Sequence, residues 1–264
     1  MIGLDETTRG KAYLLMDSAL FDAPRFIYEN DDQPELEYLF LGTHHEPALK
    51  VTPCLVKPSE ATRLWRAQPE WQDKAVVLVS DECMPVVAGH LRSLLSVQLP
   101  EGGFSYLRFY APKQLQRLMS ALNEQERTRF SGPVREWLVF QPDGELSRFG
   151  SDGSQPARKA VDEGWFLLTD THVAALARSA REEFVEKLGR FLDIKDQARL
   201  EQWIGDATAL GFQTEKDVSR YAELALVHGE RLKLAEIQAI LSDPELSIGA
   251  RLKAVDTHLA YGVA

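Results

Sequence analysis

The sequence predicts an α/β domain, a mixed sheet with helices, followed by a small all-α domain. Three observations predict it. Short apolar runs such as Ala12–Met16 and Ala75–Val79 read as buried strands, with helical patterns between them. Gly150–Pro156 is Gly/Ser/Pro-rich and nearly free of apolar residues, the composition of a linker. From Asp170 onward, apolar residues recur at helical spacing almost to the end. The expected division is therefore residues 1–149 as the α/β domain, 150–158 as the linker and 159–264 as the helical domain.

Residues 1–10 are polar, and Ala12–Met16 is a strand stopped by Asp17-Ser18. Pro24–Asn30 reads as a short helix, broken by Asp31-Asp32-Gln33-Pro34. Glu37–Leu41 and Val51–Val56 read as further strands around a loop at Gly42–Pro47, and Glu60–Arg66 as a helix capped by Ser59 with Leu64 and Trp65 inward. Ala75–Val79 has the continuous β-branched character of a strand buried on both faces. A helix carrying Leu91, Leu94 and Leu95 then leads into a hairpin. One arm holds Val97 and Leu99, the other Phe104, Tyr106, Leu107 and Phe109, with the turn at Pro100-Glu101-Gly102-Gly103.

Pro112 opens a helix with Leu115, Leu118, Met119 and Leu122 at helical spacing, which makes Ala111 its expected cap position. Trp137–Phe140 reads as the last strand, Gln141-Pro142-Asp143-Gly144 as a turn, and Trp165–Leu168 as a short strand or docking segment. Asp170 or Thr171 can cap a helix bearing Val173, Leu176, Ala177, Ala180, Phe184, Leu188, Phe191 and Leu192 on one face. Arg199–Ala209 follows. Thr214 with Asp217 resembles a capping box before the next helix, and Leu234–Leu241 and Ile248–Leu259 complete the set.

The chain has 264 residues, 44% of them hydrophobic, enough for a sizeable core, and a formal net charge of −10. An acidic chain without a basic run is a poor partner for a phosphate backbone, so nucleic acid is not expected. The start of the sequence has acids before a short apolar run, unlike a secretory signal, and no stretch approaches the length of a membrane span. Cys54 and Cys83 are two separated thiols, which fits a reducing cytoplasm. The expected setting is cytoplasmic, with no membrane partner.

Chemistry is sparse. His44, His45 and Glu46 could in principle ligate zinc, but adjacent residues in an extended segment point opposite ways, so they read as a surface loop. Cys83 and His90 lie too far apart along a helix for a nucleophile–base pair, and Cys54 reads as core. No nucleophile elbow, phosphate loop, dinucleotide fingerprint or zincin motif occurs. The sequence therefore predicts no catalytic, cofactor-binding or metal residues and no enzyme.

Arg108 stands apart. Strand alternation puts Tyr106 and Tyr110 on its face and Leu107 and Phe109 on the other. One reading is an edge guanidinium that pairs an acid or stacks on the tyrosines. The other is an anchor at a partner surface, formed by Tyr106, Arg108 and Tyr110, since Arg and Tyr are favoured at interfaces.

The run around Arg108 resembles the type VI secretion effector-chaperone family, the Tap, Tec or VasW-like adaptors. Arg108, Phe109, Tyr110, Pro112, Gly132, Pro133, Val134 and Trp137 match the family pattern, and Ala111 stands where the family usually has Asp. The likeness extends to Tyr13–Phe21 and Thr52–Pro58, and so to most of residues 12–140. It implies a bacterial cytoplasmic adaptor that binds a cognate secreted effector, keeps it soluble and loads it onto a VgrG-type spike protein without being secreted itself. The alternatives are a small cytosolic enzyme with an unrecognised site, or an immunity-type toxin inhibitor.

Overall fold

A computed structural model describes residues 6–141 and 145–261; the expected turn at Pro142-Asp143-Gly144 lies outside them. In chain order the elements are α1 (Glu6–Arg9), β1 (Ala12–Met16), α2 (Ala23–Asn30), β2 (Glu35–Tyr38), β3 (Cys54–Lys57), α3 (Gln68–Trp71) and β4 (Ala75–Ser80). Then come α4 (Met84–Ser93), β5 (Ser96–Gln98), β6 (Phe104–Tyr106), α5 (Pro112–Ala121), α6 (Glu124–Ser131), β7 (Val134–Phe140) and β8 (Leu146–Gly150). The rest is helical: α7 (Asp170–Leu192), α8 (Gln197–Ala209), α9 (Glu215–His228), α10 (Ala235–Leu241) and α11 (Ile248–Tyr261).

Six strands form one sheet in the order β2-β3-β1-β4-β7-β8, and every pairing is antiparallel, where the sequence pattern had suggested a mixed sheet. The period-2 alternation of β1 and β4 feeds two separate cores. Tyr13, Leu15, Val76 and Leu78 face one side, where Val87 and Leu91 of α4, Leu115 and Leu118 of α5 and Phe130 of α6 cover them. Ala12, Leu14, Met16, Ala75, Val77 and Val79 face the other, against Ile27 of α2, Leu64 and Trp71. Burial on both faces is why Ala75–Val79 is continuously apolar. Each Val or Leu so buried stabilises the fold by about 1.5–3 kcal/mol.

Local propensity is overridden at Glu60–Arg66, which forms turns; the helix starts only at Gln68. The buried Asp31 carboxylate accepts from Ser59 N–H at 2.8 Å, and Arg63 N–H donates to Asn30 O at 2.8 Å. The second takes the N–H that a helix would have paired with Ser59 O, and the first holds Ser59 to Asp31. Helices α1 and α6 and strand β8 escaped the sequence reading. Helix α6 begins with an Asn123/Glu126 capping box, a signature visible in the sequence. Strand β8 pairs along β7, so β7 is not the last strand.

Ala111 does occupy the cap position of α5, in extended conformation and with no side-chain cap. Ala111→Asp is expected to raise stability by about 0.5–2 kcal/mol, because Asp would accept an orphan N–H at the positive helix end. A denaturant melt with an unchanged or lower midpoint would contradict this.

The chain divides into two compact units, residues 1–177 and 178–264, a division that falls within α7 rather than at the expected linker, 150–158. The reason is chemical. Ser151 N–H donates to Arg135 O at 2.7 Å, Arg158 N–H donates to His90 Nδ1 at 3.2 Å, and Trp165 Nε1–H donates to Ser93 Oγ at 3.0 Å. Phe166 and Leu168 are buried in the first unit's core. A segment with linker composition is thus strapped onto the α/β unit by its backbone. The second unit has its own core, built from Leu188, Trp203, Ile204, Phe212, Tyr221, Ile237 and Val255 among others.

His90 is the buried node under that strap. Its Nε2–H donates to Phe130 O at 2.9 Å while Nδ1 accepts from Arg158, so both ring nitrogens are satisfied in the neutral form. Burial, with the nearby Arg158 charge adding, pushes its pKa down to about 4 against the opposing Phe130 carbonyl. The unfolded chain, with an ordinary histidine near ~6.5, binds the proton first as pH falls. Stability is therefore full above pH ~6.5 and declines towards about pH 4, at about 1 kcal/mol per pH unit. Unfolding free energies at stepped pH check this: His90→Gln should flatten the slope, and equal slopes in variant and wild type would contradict it.

Candidate functional site

The site is built at the end of β1. Asp17 N–H donates to Lys74 O at 2.9 Å, which fixes the residue where the strand stops, and the side chain is fully buried. One carboxylate oxygen accepts from Ala19 N–H at 3.0 Å. The other accepts from Arg108 Nη2 at 2.6 Å. A carboxylate excluded from water needs such a cation, and the 43% exposure of the Arg108 side chain leaves part of the guanidinium facing solvent.

Arg108 lies in a turn, not in a strand. Leu107 N–H donates to Leu95 O at 2.8 Å just after β6, and Ala111 N–H donates to Arg108 O at 3.0 Å just before α5. The turn still brings together the three residues that strand alternation had grouped. Tyr106 and Tyr110 share a hydroxyl–hydroxyl hydrogen bond of 2.6 Å, and Arg108 Cζ sits 5.7 Å from the Tyr110 ring centre. Tyr106 is 41% exposed, but Tyr110 is buried together with Phe109. The expected outward face is corrected accordingly: Tyr106 and Arg108 reach solvent, and Tyr110 supports them from beneath. Burial, then the Tyr110 hydroxyl, pushes the Tyr106 hydroxyl well above the usual tyrosine range; burial raises Tyr110 as well. Both phenols stay protonated.

A second cluster adjoins the first. His45 packs against Tyr106 with ring centres 4.9 Å apart and against Phe40 at 5.4 Å. Its Nε2 lies 2.8 Å from Glu163 Oε1, and His44 Nδ1 lies 3.2 Å from Glu163 Oε2. The sequence argument that neighbouring histidines diverge assumed an extended segment. Instead, Glu46 N–H donates to Thr43 O at 3.1 Å and His45 has φ −83°, ψ −3°, a turn that sets the two rings 3.8 Å apart. Glu46, weighed with the two histidines in the sequence, accepts from Gly42 N–H instead.

Asp17 and Glu163 were both missed. Asp17 carried a signal, an acid directly after an apolar strand within a stretch that resembles the family. Glu163 carried none, since it meets His44 and His45 only through the strap. Cys83 and His90 are not brought together: the thiol is exposed before α4, whereas the imidazole is fully buried and occupied at both nitrogens. Burial pushes the Cys54 thiol up to about 11, as suits a core residue. In the second unit, a surface hollow of about 520 Å³ is lined by Phe191, Leu252 and the Arg220–Glu223 and Arg220–Asp256 ion pairs, which satisfy one another. No helix among the described residues is long and apolar enough to cross a membrane.

No curated protein and no solved structure matches the chain. The family model described as a domain of unknown function, DUF4123, matches residues 12–129, a span that runs from β1 into α6 and holds Asp17, His44, His45, Tyr106, Arg108 and Tyr110.

Proposed function

We propose that this protein is an adaptor that captures one cognate type VI secretion effector, stabilises it and helps to load it onto a VgrG-type spike protein. The match over residues 12–129 supports this reading, because it covers the run from Arg108 to Tyr110 that carries the resemblance to effector chaperones. One structural observation carries it further. The guanidinium of Arg108 is anchored on one side by a buried carboxylate, and beside it Tyr106 is partly exposed. Residues held this way lose little entropy on binding, and Arg and Tyr are the side chains that dominate interfaces. Capture of this kind needs no bond-forming step, since binding alone stabilises the partner by mass action.

A tagged pull-down from the native cell, read by mass spectrometry, tests the reading. It should return one secreted effector above all else, and that effector should remain active when released. Return of no effector would contradict the adaptor reading, and a captured toxin held inactive would favour an inhibitor.

A further inference from the structure

We propose that His44, His45 and Glu163 form a binding site for a divalent transition-metal ion. The proposal does not depend on the adaptor reading.

One ligand atom from each of His44, His45 and Glu163, a ring nitrogen or a carboxylate oxygen, lies within 4.8 Å of the other two. An ion bound at ~2.0–2.2 Å from each requires donors about 3–3.4 Å apart. His45 Nε2 lies 2.8 Å from Glu163 Oε1 and His44 Nδ1 lies 3.2 Å from Glu163 Oε2, so the carboxylate already reaches both rings, one through each oxygen. His44, whose side chain is 66% exposed, forms the open side of the group, where small side-chain shifts can adjust the donor spacing. The two imidazole N–H···O contacts to Glu163 are replaced on binding, as each ring shifts its proton to its other nitrogen and turns a lone pair to the ion.

The surroundings are those of a built site. Ser96 Oγ–H donates to Glu163 Oε1 at 2.6 Å and so orients the carboxylate, a common role for a residue just outside the ligand set. Thr43 Oγ1 accepts from His45 N–H at 3.1 Å, and the His45 ring packs against Phe40 and Tyr106. Glu163 itself follows a short 3-10 turn, its N–H donating to Ala160 O at 3.2 Å. The carboxylate is only 12% exposed, which favours a cation against it.

Two nitrogens and one oxygen select zinc, cobalt, nickel or iron(II) over calcium or magnesium. With His44 at the rim, the remaining coordination positions face solvent and take water or an outside ligand. Metal binding would also tie the loop at 42–51 to the turn at 160–164 beside Tyr106. Glu163 lies outside residues 12–129, so the complete ligand set belongs to this chain and not to the matched family region.

The test is a titration of the full, untagged chain with Co²⁺, followed by displacement with Zn²⁺. Saturable one-to-one binding is expected, with visible absorption from low-coordinate cobalt and a higher melting temperature that a chelator reverses. Glu163→Gln keeps the shape and the Ser96 contact, and His44→Ala changes an exposed position, so both should fold. Each is expected to weaken binding by at least about tenfold, the loss seen even for changes just outside a ligand set. His228→Ala, in the second unit, should bind like wild type. Absence of saturable binding below about 1 mM, already a weak ~4 kcal/mol association, would overturn the site, and so would equal binding by Glu163→Gln.

Discussion

Gly132→Ala is expected to destabilise the α/β unit by about 4 kcal/mol, from a strained backbone and an overpacked core together. Gly132 caps α6 at φ 54°, ψ −114°, a conformation closed to residues with a side chain. A Cβ there would lie 2.4 Å from His90 Cε1. The imidazole cannot step aside, because it is fully buried and held at both nitrogens by Phe130 O and Arg158 N–H. Denaturant unfolding of the single variant and of Gly132→Ala with His90→Ala separates the two causes. Measured against His90→Ala alone, the added Gly132→Ala should lose the packing part and keep the backbone part. A loss below about 1 kcal/mol in the single variant would show that the loop relaxes and that His90 is not the fixed node described here.

Arg108→Ala carries the second large effect. Were Arg108 only an anchor on an outward strand face, its truncation would change stability little. The geometry instead matches the acid-pairing reading, and truncation strands the fully buried Asp17 carboxylate without its cation. Breaking a fully buried pair costs about 3–5 kcal/mol; water already reaches Arg108, so about 2–3 kcal/mol is expected. Asp17→Asn added to Arg108→Ala should restore part of the loss, as it removes the uncompensated charge. A melting temperature for Arg108→Ala equal to that of wild type would mean that the Asp17 contact contributes nothing. The two readings of Arg108 left open by the sequence are therefore not exclusive: one edge of the guanidinium pairs Asp17 and the side chain remains 43% exposed.

The fold was legible wherever local pattern and burial agree. The runs Ala12–Met16 and Ala75–Val79 and the Pro112 helix with its uncapped Ala111 form as their periodicity directs; the helix from Asp170 forms too, but Val173 and Phe191 of its apolar stripe are exposed and Leu188 is the member fully buried. It was illegible where long-range bonds decide. Ser59 and Arg63 give their donors to Asp31 and Asn30, which unmakes an expected helix, and the polar strap after β8 docks through backbone groups that composition does not reveal. The site divides the same way. Tyr106, Arg108 and Tyr110 could be grouped from spacing, although a turn and not a strand unites them, and Tyr110 is buried beneath the others. Asp17 and Glu163, the acids that organise the two clusters, come from 91 and 118 residues away in sequence from the residues they bind. Such pairings have no local signature.

The central claim is that the partly exposed face of Tyr106 and Arg108 captures an effector. Titration calorimetry of the pulled-down effector against wild type and Arg108→Lys tests it most directly. Lysine keeps the charge beside Asp17 but lacks the planar fork that a partner surface reads. The account predicts a dissociation constant raised at least about tenfold, as for loss of a central interface contact, while the melting temperature stays close to that of wild type. An unchanged dissociation constant in a fully folded Arg108→Lys protein would contradict the claim and move the capture surface elsewhere on the molecule.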